Sequence, residues 1–349
     1  MKKILLLMLM CLLALTTFST SLITIVDRAK EVNPNYVLSE LNSEKAELDY
    51  EKAMIEAMNE KMELAAEINK FSGDQQVLRN LTDFYAEILD DIFTVKTQKL
   101  DKQIKALNVE IAKKDYEDKK DLFDKDLVSE NDLTDASLTY QDAQSSLSKS
   151  EKDLQVALDT FKRDTSLDYD EVDLFVPEYE KILVNKEEWV DANISVKIAS
   201  DNVDIASYDK QNLSSNASKY QKKLADINLK QKEIDMRLAV ISAEDQKQNF
   251  EDTLDFLKEQ LETLDERVGL VKDNLDDIKT RYKKGLVSET ELNNQEIAYL
   301  NQLNQYYSTL NSYWTTLSNY LLNSDSDLEE LIRNEIQQQE AKNNTEKDG

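Results

Sequence analysis

Apolar residues recur along this chain at alternating steps of four and three. From Phe250 the series runs through Leu254, Leu257, Leu261, Leu264, Val268, Val271, Leu275, Ile278 and Tyr282 without a break. That spacing is the seam of a long helix packed against a neighbour in a coiled coil. A second series, Tyr299, Leu303, Tyr306, Leu310, Tyr313, Leu317 and Tyr320, follows a short interruption. The pattern predicts two helices of roughly 33–35 residues, each on the order of 50 Å long at about 1.5 Å per residue. A looser pair precedes them: Phe93, Leu100, Ile104, Leu107 and Ile111, then Leu133, Ala136, Tyr140, Ala143, Leu147, Leu154 and Phe161. Small residues alternate with large ones here, which lets a neighbouring helix approach closely. The tyrosines spaced by seven read as core or subunit-interface residues rather than as a ladder for stacking a ligand.

The two interruptions carry one motif. Residues 123–133 read Phe-Asp-Lys-Asp-Leu-Val-Ser-Glu-Asn-Asp-Leu, and residues 282–292 read Tyr-Lys-Lys-Gly-Leu-Val-Ser-Glu-Thr-Glu-Leu, 159 positions later. The same offset pairs Tyr140 with Tyr299 and Leu158 with Leu317, so the chain is built from two copies of one unit. In the second copy Gly285 supplies a left-handed helix stop. Ser288 and Glu291 then form a Ser-x-x-Glu capping box, and Val287 and Leu292 a hydrophobic staple. Ser129, Asp132, Val128 and Leu133 repeat the pattern, with Asp126 in place of the glycine. Each motif is therefore the tip of an antiparallel helical hairpin. Leu127 and Leu286 are the residues this local chemistry does not use.

Composition agrees. The 349 residues include only 4 Gly and 2 Pro, against average usage of about 7% and 5%, so elements are few and long. Net charge is −27, which argues against phosphate-backbone binding and hence nucleic acid. There is no His, and the single Cys11 lies in the N-terminal apolar run. The commonest general base and the commonest zinc ligand are therefore missing. With no Gly-rich phosphate loop and no convergent acid cluster either, no enzyme, metal site or cofactor is expected.

Lys2 and Lys3 precede an uncharged run over residues 4–26. This is the pattern of a secretory signal peptide over residues 1–26, or of an uncleaved anchor, and either exports the body. Residues 27–162 form the first hairpin repeat and 163–188 a linker with a possible short strand near Leu174, Phe175 and Val176. The second repeat covers 189–322, and 323–349 is a polar, partly disordered tail. Helix interruptions are expected at residues 71–74 and around 214–218.

An aromatic, two residues, Gly, then Leu-Val-Ser-x-x-acid-Leu, set in a duplicated hairpin, resembles the TolC-like outer-membrane efflux proteins. The stretch from Asn193 to Ala206 resembles the recurrent helix of that family, and the likeness spans roughly residues 36–322. The resemblance implies an all-α protomer of two long hairpins and a homotrimer enclosing a helical tunnel. It also implies a passive efflux conduit in the cell envelope, working with a membrane-fusion adaptor and an inner-membrane transporter, of the ABC type or another. On this likeness the docking residues are Leu127, Val128, Ser129, Gly285, Leu286, Val287 and Ser288, while Asp132 and Glu291 line the tunnel entrance. Asn294 stands where the family often has a second acid, so the likeness does not extend to a tight cation-binding ring. Family members also insert a strand pair in each repeat to cross the outer membrane. No alternating run of about 9–11 residues suited to such strands occurs near 71–74 or 212–222. The alternative function is a structural coiled-coil spacer or adhesin of the envelope, which predicts a dimer or an extended rod.

Overall fold

The computed structural model describes residues 21–172, 174–326 and 328–334. The first part of the expected leader, residues 1–20, and the last part of the tail, 335–349, lie outside them. Among the described residues the helices run in the order α1 (Leu22–Val32), α2 (Pro34–Glu56), α3 (Glu60–Phe123), α4 (Glu130–Thr165), α5 (Lys186–Ala192), α6 (Ile194–Gln211), α7 (Lys219–Lys283) and α8 (Glu289–Asn323). A 3-10 turn covers Tyr179–Lys181, and residues 328–334 are helical. No β-strand occurs among the described residues, including the stretch around Leu174–Val176 where one was expected.

The duplication extends through the whole set, with α5–α8 repeating α1–α4. The helix caps make this exact register visible. Asn59 and Ser218 cap α3 and α7, and Ser129 and Ser288 cap α4 and α8, each pair 159 residues apart. Asn33 ends α1 and caps α2 through a bond from the Asn35 N–H, just as Asn193 ends α5 and caps α6. Short polar side chains suit these joints because they accept the unsatisfied N–H groups of a first helical turn.

One expected interruption is moved. Helix α3 runs unbroken through residues 71–74, and the break in the first repeat is the turn over residues 57–59. Gly73 is a close-approach residue: a Cβ there would lie 2.6 Å from the Cβ of Ala46 on α2. Ser72 bonds back to the Ile68 carbonyl at 2.8 Å, satisfying its hydroxyl within the helix. In the second repeat the interruption lies over residues 212–218, as the run of Ser and Asn implies.

The helices form one layer of four lines. In the half that carries the tips the order across the layer is α4, α3, α8, α7; in the other half it is α2, α3, α6, α7. Helices α3 and α7, of 64 and 65 residues, run the length of the layer, roughly 100 Å at about 1.5 Å per residue. The seam residues face inward along these contacts, with Leu254, Leu257, Leu261, Leu275, Leu310, Tyr313, Leu317 and Tyr320 buried. Tyr299 and Tyr306 are half-buried, so the spaced tyrosines are packing residues.

The main core sits at mid-length. There Phe84, Ile88, Ile92 and Phe93 of α3 meet Phe161, Trp189, Tyr313, Trp314 and Tyr320. The segment between the repeats wraps this core and is pinned to it. Trp314 Nε1 donates to the Phe175 carbonyl at 2.9 Å, Tyr313 OH to the Pro177 carbonyl at 2.6 Å, and Trp189 Nε1 to the Ala243 carbonyl at 2.8 Å. Each aromatic thus buries its ring and satisfies its polar end. Helix α1 packs on α4 with Leu22, Ile25, Val26 and Ala29 buried, and residues 328–334 lie against α1, with Leu328, Leu331 and Ile332 buried and Arg333 paired with Asp27 at 3.3 Å. Leu22, Ile25 and Val26, which fall in the leader expected from the sequence, are here buried in the core.

Two carboxyls are buried at the same level. Asp164 is held by a bidentate bond from Arg163, at 2.7 and 2.6 Å. Asp91 has Oδ2 buried without a hydrogen-bond partner. Burial, and then the neighbouring Asp164, push the Asp91 carboxyl up to about 7.

Candidate functional site

Both hairpin tips are built by the same backbone bonds. At the end of α3 the Leu127 N–H donates to the Leu122 carbonyl at 2.9 Å and the Asp126 N–H to the Phe123 carbonyl at 2.9 Å. At the end of α7 the Leu286 N–H donates to the Arg281 carbonyl at 3.0 Å and the Gly285 N–H to the Tyr282 carbonyl at 2.8 Å. This double closure is the Schellman motif, which requires a left-handed residue after the helix. Asp126 and Gly285 fill that place with φ of +57° and +68°. Glycine adopts it without steric cost, and aspartate is among the few other residues that visit it.

The outgoing helices start differently. Ser129 Oγ accepts from the Asp132 N–H at 3.2 Å, while the Asp132 carboxylate accepts from the Ser129 N–H at 3.0 Å and its Oγ at 2.7 Å. These bonds, the hydroxyl's first and the backbone's second, hold the Asp132 carboxyl below the usual range. At the second tip Ser288 Oγ accepts from the Glu291 N–H at 3.1 Å, but the return half expected of a capping box is not made. The Glu291 side chain is longer by one methylene and stays exposed.

Val128 and Val287 are half-buried under the turns, as are Leu133 and Leu292. Leu127 and Leu286 are the outward residues, 66% and 65% exposed. Leu127, Val128, Ser129 and Asp132 thus share one tip, and Gly285, Leu286, Val287, Ser288 and Glu291 share the other.

The two tips are not level. Asn293 Nδ2 donates to Glu110 Oε2 at 3.1 Å across α8 and α3. Lys96 lies over the Tyr307 ring, and Asn311 Nδ2 donates to Asp90 Oδ1 at 3.1 Å. Counted from Asp126 and from Gly285, each of these pairs places the first tip about 8 to 10 residues further out, roughly 12–15 Å along the helix. The sequence does not signal this stagger. Ser150 was also missed. It continues the step of three and four between Leu147 and Leu154, is buried, and donates to Asp101 Oδ2 at 2.6 Å. A polar residue on the seam was the signal that could have found it.

Among the described residues no helix is long and apolar enough to cross a membrane, and no group of three or more acids could hold a metal ion. No protein-family model matches the sequence, and comparison with curated proteins gives no match. Solved structures do share the architecture. The outer membrane protein VceC of Vibrio cholerae has a TM-score of 0.55 at 9% identity, over 86% of this chain and 95% of that one. The Campylobacter jejuni CmeC outer membrane channel has 0.54 at 10% identity, over 86% and 84%. A membrane protein from Pseudomonas aeruginosa has 0.54 at 10% identity, over 90% and 92%. This chain has the TolC-like fold. At such identities the likeness is one of architecture. Within the TolC-like fold the tips lie at one end of the layer. The turns over residues 57–59 and 212–218 lie at the other, where the resemblance places strand pairs.

Proposed function

We propose that three copies of this chain close into a helical conduit of the cell envelope, a passive path for export that docks by its hairpin tips onto a membrane-fusion adaptor of an inner-membrane transporter. The observation that carries this reading is the pair of open edges on the four-line layer. On the α2 edge Leu38, Leu41, Leu48 and Ile55 are exposed, and on the α7 edge Tyr220, Leu224, Ile227, Ile234, Leu238 and Ile241 are exposed. The α7 series repeats the four–three spacing of a helix seam and is exposed along it among the described residues. Apolar stripes of this length seek a partner, and the two edges of one copy supply complementary surfaces for a closed ring. Energy for transport comes from the transporter, and no chemical step is assigned to the chain. The distal end is finished by the helical turns over residues 57–59 and 212–218, which makes the conduit a tunnel of helices in its described part.

Sedimentation of the chain from residue 21 tests the ring: a trimer is expected, and a stable monomer or dimer rejects it in favour of a spacer or adhesin. Leu238→Glu should dissociate the trimer while leaving protomer helicity unchanged, since each buried leucine contributes about 1.5–3 kcal/mol. Leu127→Asp with Leu286→Asp should abolish adaptor capture without changing the trimer. We also place the end of the leader before Leu22, because the residues from Leu22 onward fill core positions. N-terminal sequencing of the exported protein is expected to start at or before that residue.

A further inference from the structure

The two tips share a backbone and an exposed leucine, yet they differ in charge. Residues 121–130 hold Asp121, Asp124, Asp126 and Glu130 against one base, Lys125. The matching residues 280–289 hold Arg281, Lys283 and Lys284 against one acid, Glu289. Four positions make the difference: Asp121, Leu122, Asp124 and Asp126 in the first tip stand where Thr280, Arg281, Lys283 and Gly285 stand in the second. All eight are exposed or at the helix surface within the last turn and the stop, and every exchange makes the second tip more positive. Apart from Arg281, which reaches back to Asp277 at 3.9 Å, these charges form no ion pair among the described residues. Arg281 and Lys283 also suit the C-terminal end of α7, and Asp126 and Gly285 fill the left-handed stop, but Asp121 and Asp124 sit at the same end of α3, where the helix dipole disfavours acids, so hairpin stability does not account for the opposite sign of the two tips. The turn closes the Leu127 N–H onto the Leu122 carbonyl and the Leu286 N–H onto the Arg281 carbonyl, so these charges flank the two leucines, and surface charges act over a screening length of about 8 Å at physiological salt.

We propose that the docking partner is a protein surface with two unlike receptor pockets, each apolar at its centre to take a leucine, the one for Leu127 ringed by basic side chains and the one for Leu286 ringed by acidic ones. This rests on the docking reading given above and adds its register. In a closed ring of three copies, six tips alternate acidic and outer with basic and inner, following the stagger between them. Leucines alone would fit the partner equally well after rotation by one tip. Opposite charges at alternate positions remove that ambiguity, because like charges brought together at an interface disfavour the wrong register. The apolar contact supplies holding and the charge pattern supplies choice.

A photo-reactive residue placed at position 127 or at position 286 of the full-length protein, expressed in its native cells, tests the inference through the sequence of the captured peptides. The segment captured at 127 is expected to be rich in Lys and Arg, and the segment captured at 286 rich in Asp and Glu. A second variant exchanges the tips: Asp121→Thr, Asp124→Lys and Asp126→Gly together with Thr280→Asp, Lys283→Asp and Gly285→Asp. Each residue already occupies the equivalent place in the other turn, including aspartate at a left-handed position, so the hairpins should fold and melt as before. In that variant the captured segments should swap between the two positions. Segments of the same sign at both positions, or no swap, overturn the two-pocket inference while leaving docking in place. Absence of any cross-link at both leucines removes the docking reading and this inference with it. Capture of a tip of this same chain identifies a second copy as the occupant and also overturns the proposal.

Discussion

The middle of this molecule and its tips are made from the same helices but held together by different means. At mid-length α3 and α8 are buried between α1, the inter-repeat segment, α5 and residues 328–334, and Trp189, Trp314, Tyr313 and Tyr320 are closed from solvent. Near the tips each helix has its hairpin partner and at most one other neighbour, and the seam residues from Val268 to Tyr282 are half-buried or exposed, with Leu275 the exception. The contrast teaches that the chain concentrates its buried core in the middle and leaves its ends more open. Stability of this uneven kind is expected where an element must move or bind.

The sharpest way to break the comparison is at its strong end. Trp314→Ala should cost about 3–5 kcal/mol in urea unfolding, the range for a large aromatic removed from a packed core. Equal truncation at a tip, Tyr282→Ala, should cost under about 1 kcal/mol because the residue is already 40% exposed and lies outside the main core. Equal losses at the two sites would mean that the middle is no anchor.

Asp91 comes next. Its carboxyl is pushed up to about 7, from an ordinary 3.8, by burial first and then by Asp164, Glu87 and Asp90. Arg163, bound to Asp164, is the cation at this cluster. A folded carboxyl raised above its unfolded value keeps a proton that the unfolded chain releases. Stability from this group is therefore present at about pH 4, falls as pH rises toward 7, and is flat above. Asp91→Asn should remove that slope and raise stability at pH 8 by roughly 2–4 kcal/mol, as measured by denaturant midpoints across pH. An unchanged slope would show that Asp91 is not the group that titrates.

The smallest effect separates the tips from each other. Ser129→Ala removes a complete capping box and Ser288→Ala only half of one. Losses of about 1 kcal/mol and about 0.5 kcal/mol are expected, within the usual range for N-cap truncation. Thermal melting of the two variants in parallel reads the difference. Reversed order would mean that the Asp132 carboxylate contributes nothing to its turn.

Much of the tip end was legible in the sequence because its chemistry is local. The steps of four and three placed the seams, and Leu-Val-Ser with an acid three residues after the serine placed both turns and both caps. The middle was not legible for the opposite reason. Val172, Tyr179 and Trp189 belong to the core, yet they sit in a stretch without periodicity and find their partners across the fold. Gly73 looked like a helix breaker because sequence shows a missing side chain but not the Ala46 methyl that occupies its place. The turn over residues 57–59 carried an N-cap signal in Asn59, masked by the apolar Met58 and Met62 beside it. Stagger of the tips depends on which residues of α3 meet α8, a register that neither helix encodes alone.

Ser150 on Asp101 and Asn293 on Glu110 carry a further consequence for motion. A helix that slid by one heptad along its neighbour would keep its apolar seam but part each of these polar pairs by about 10 Å, breaking a part-buried hydrogen bond on each side of α3. Both bonds therefore oppose axial sliding. Beyond Glu110 α3 runs some 24 Å further to its tip at about 1.5 Å per residue, and this length is freer to bend than to slide.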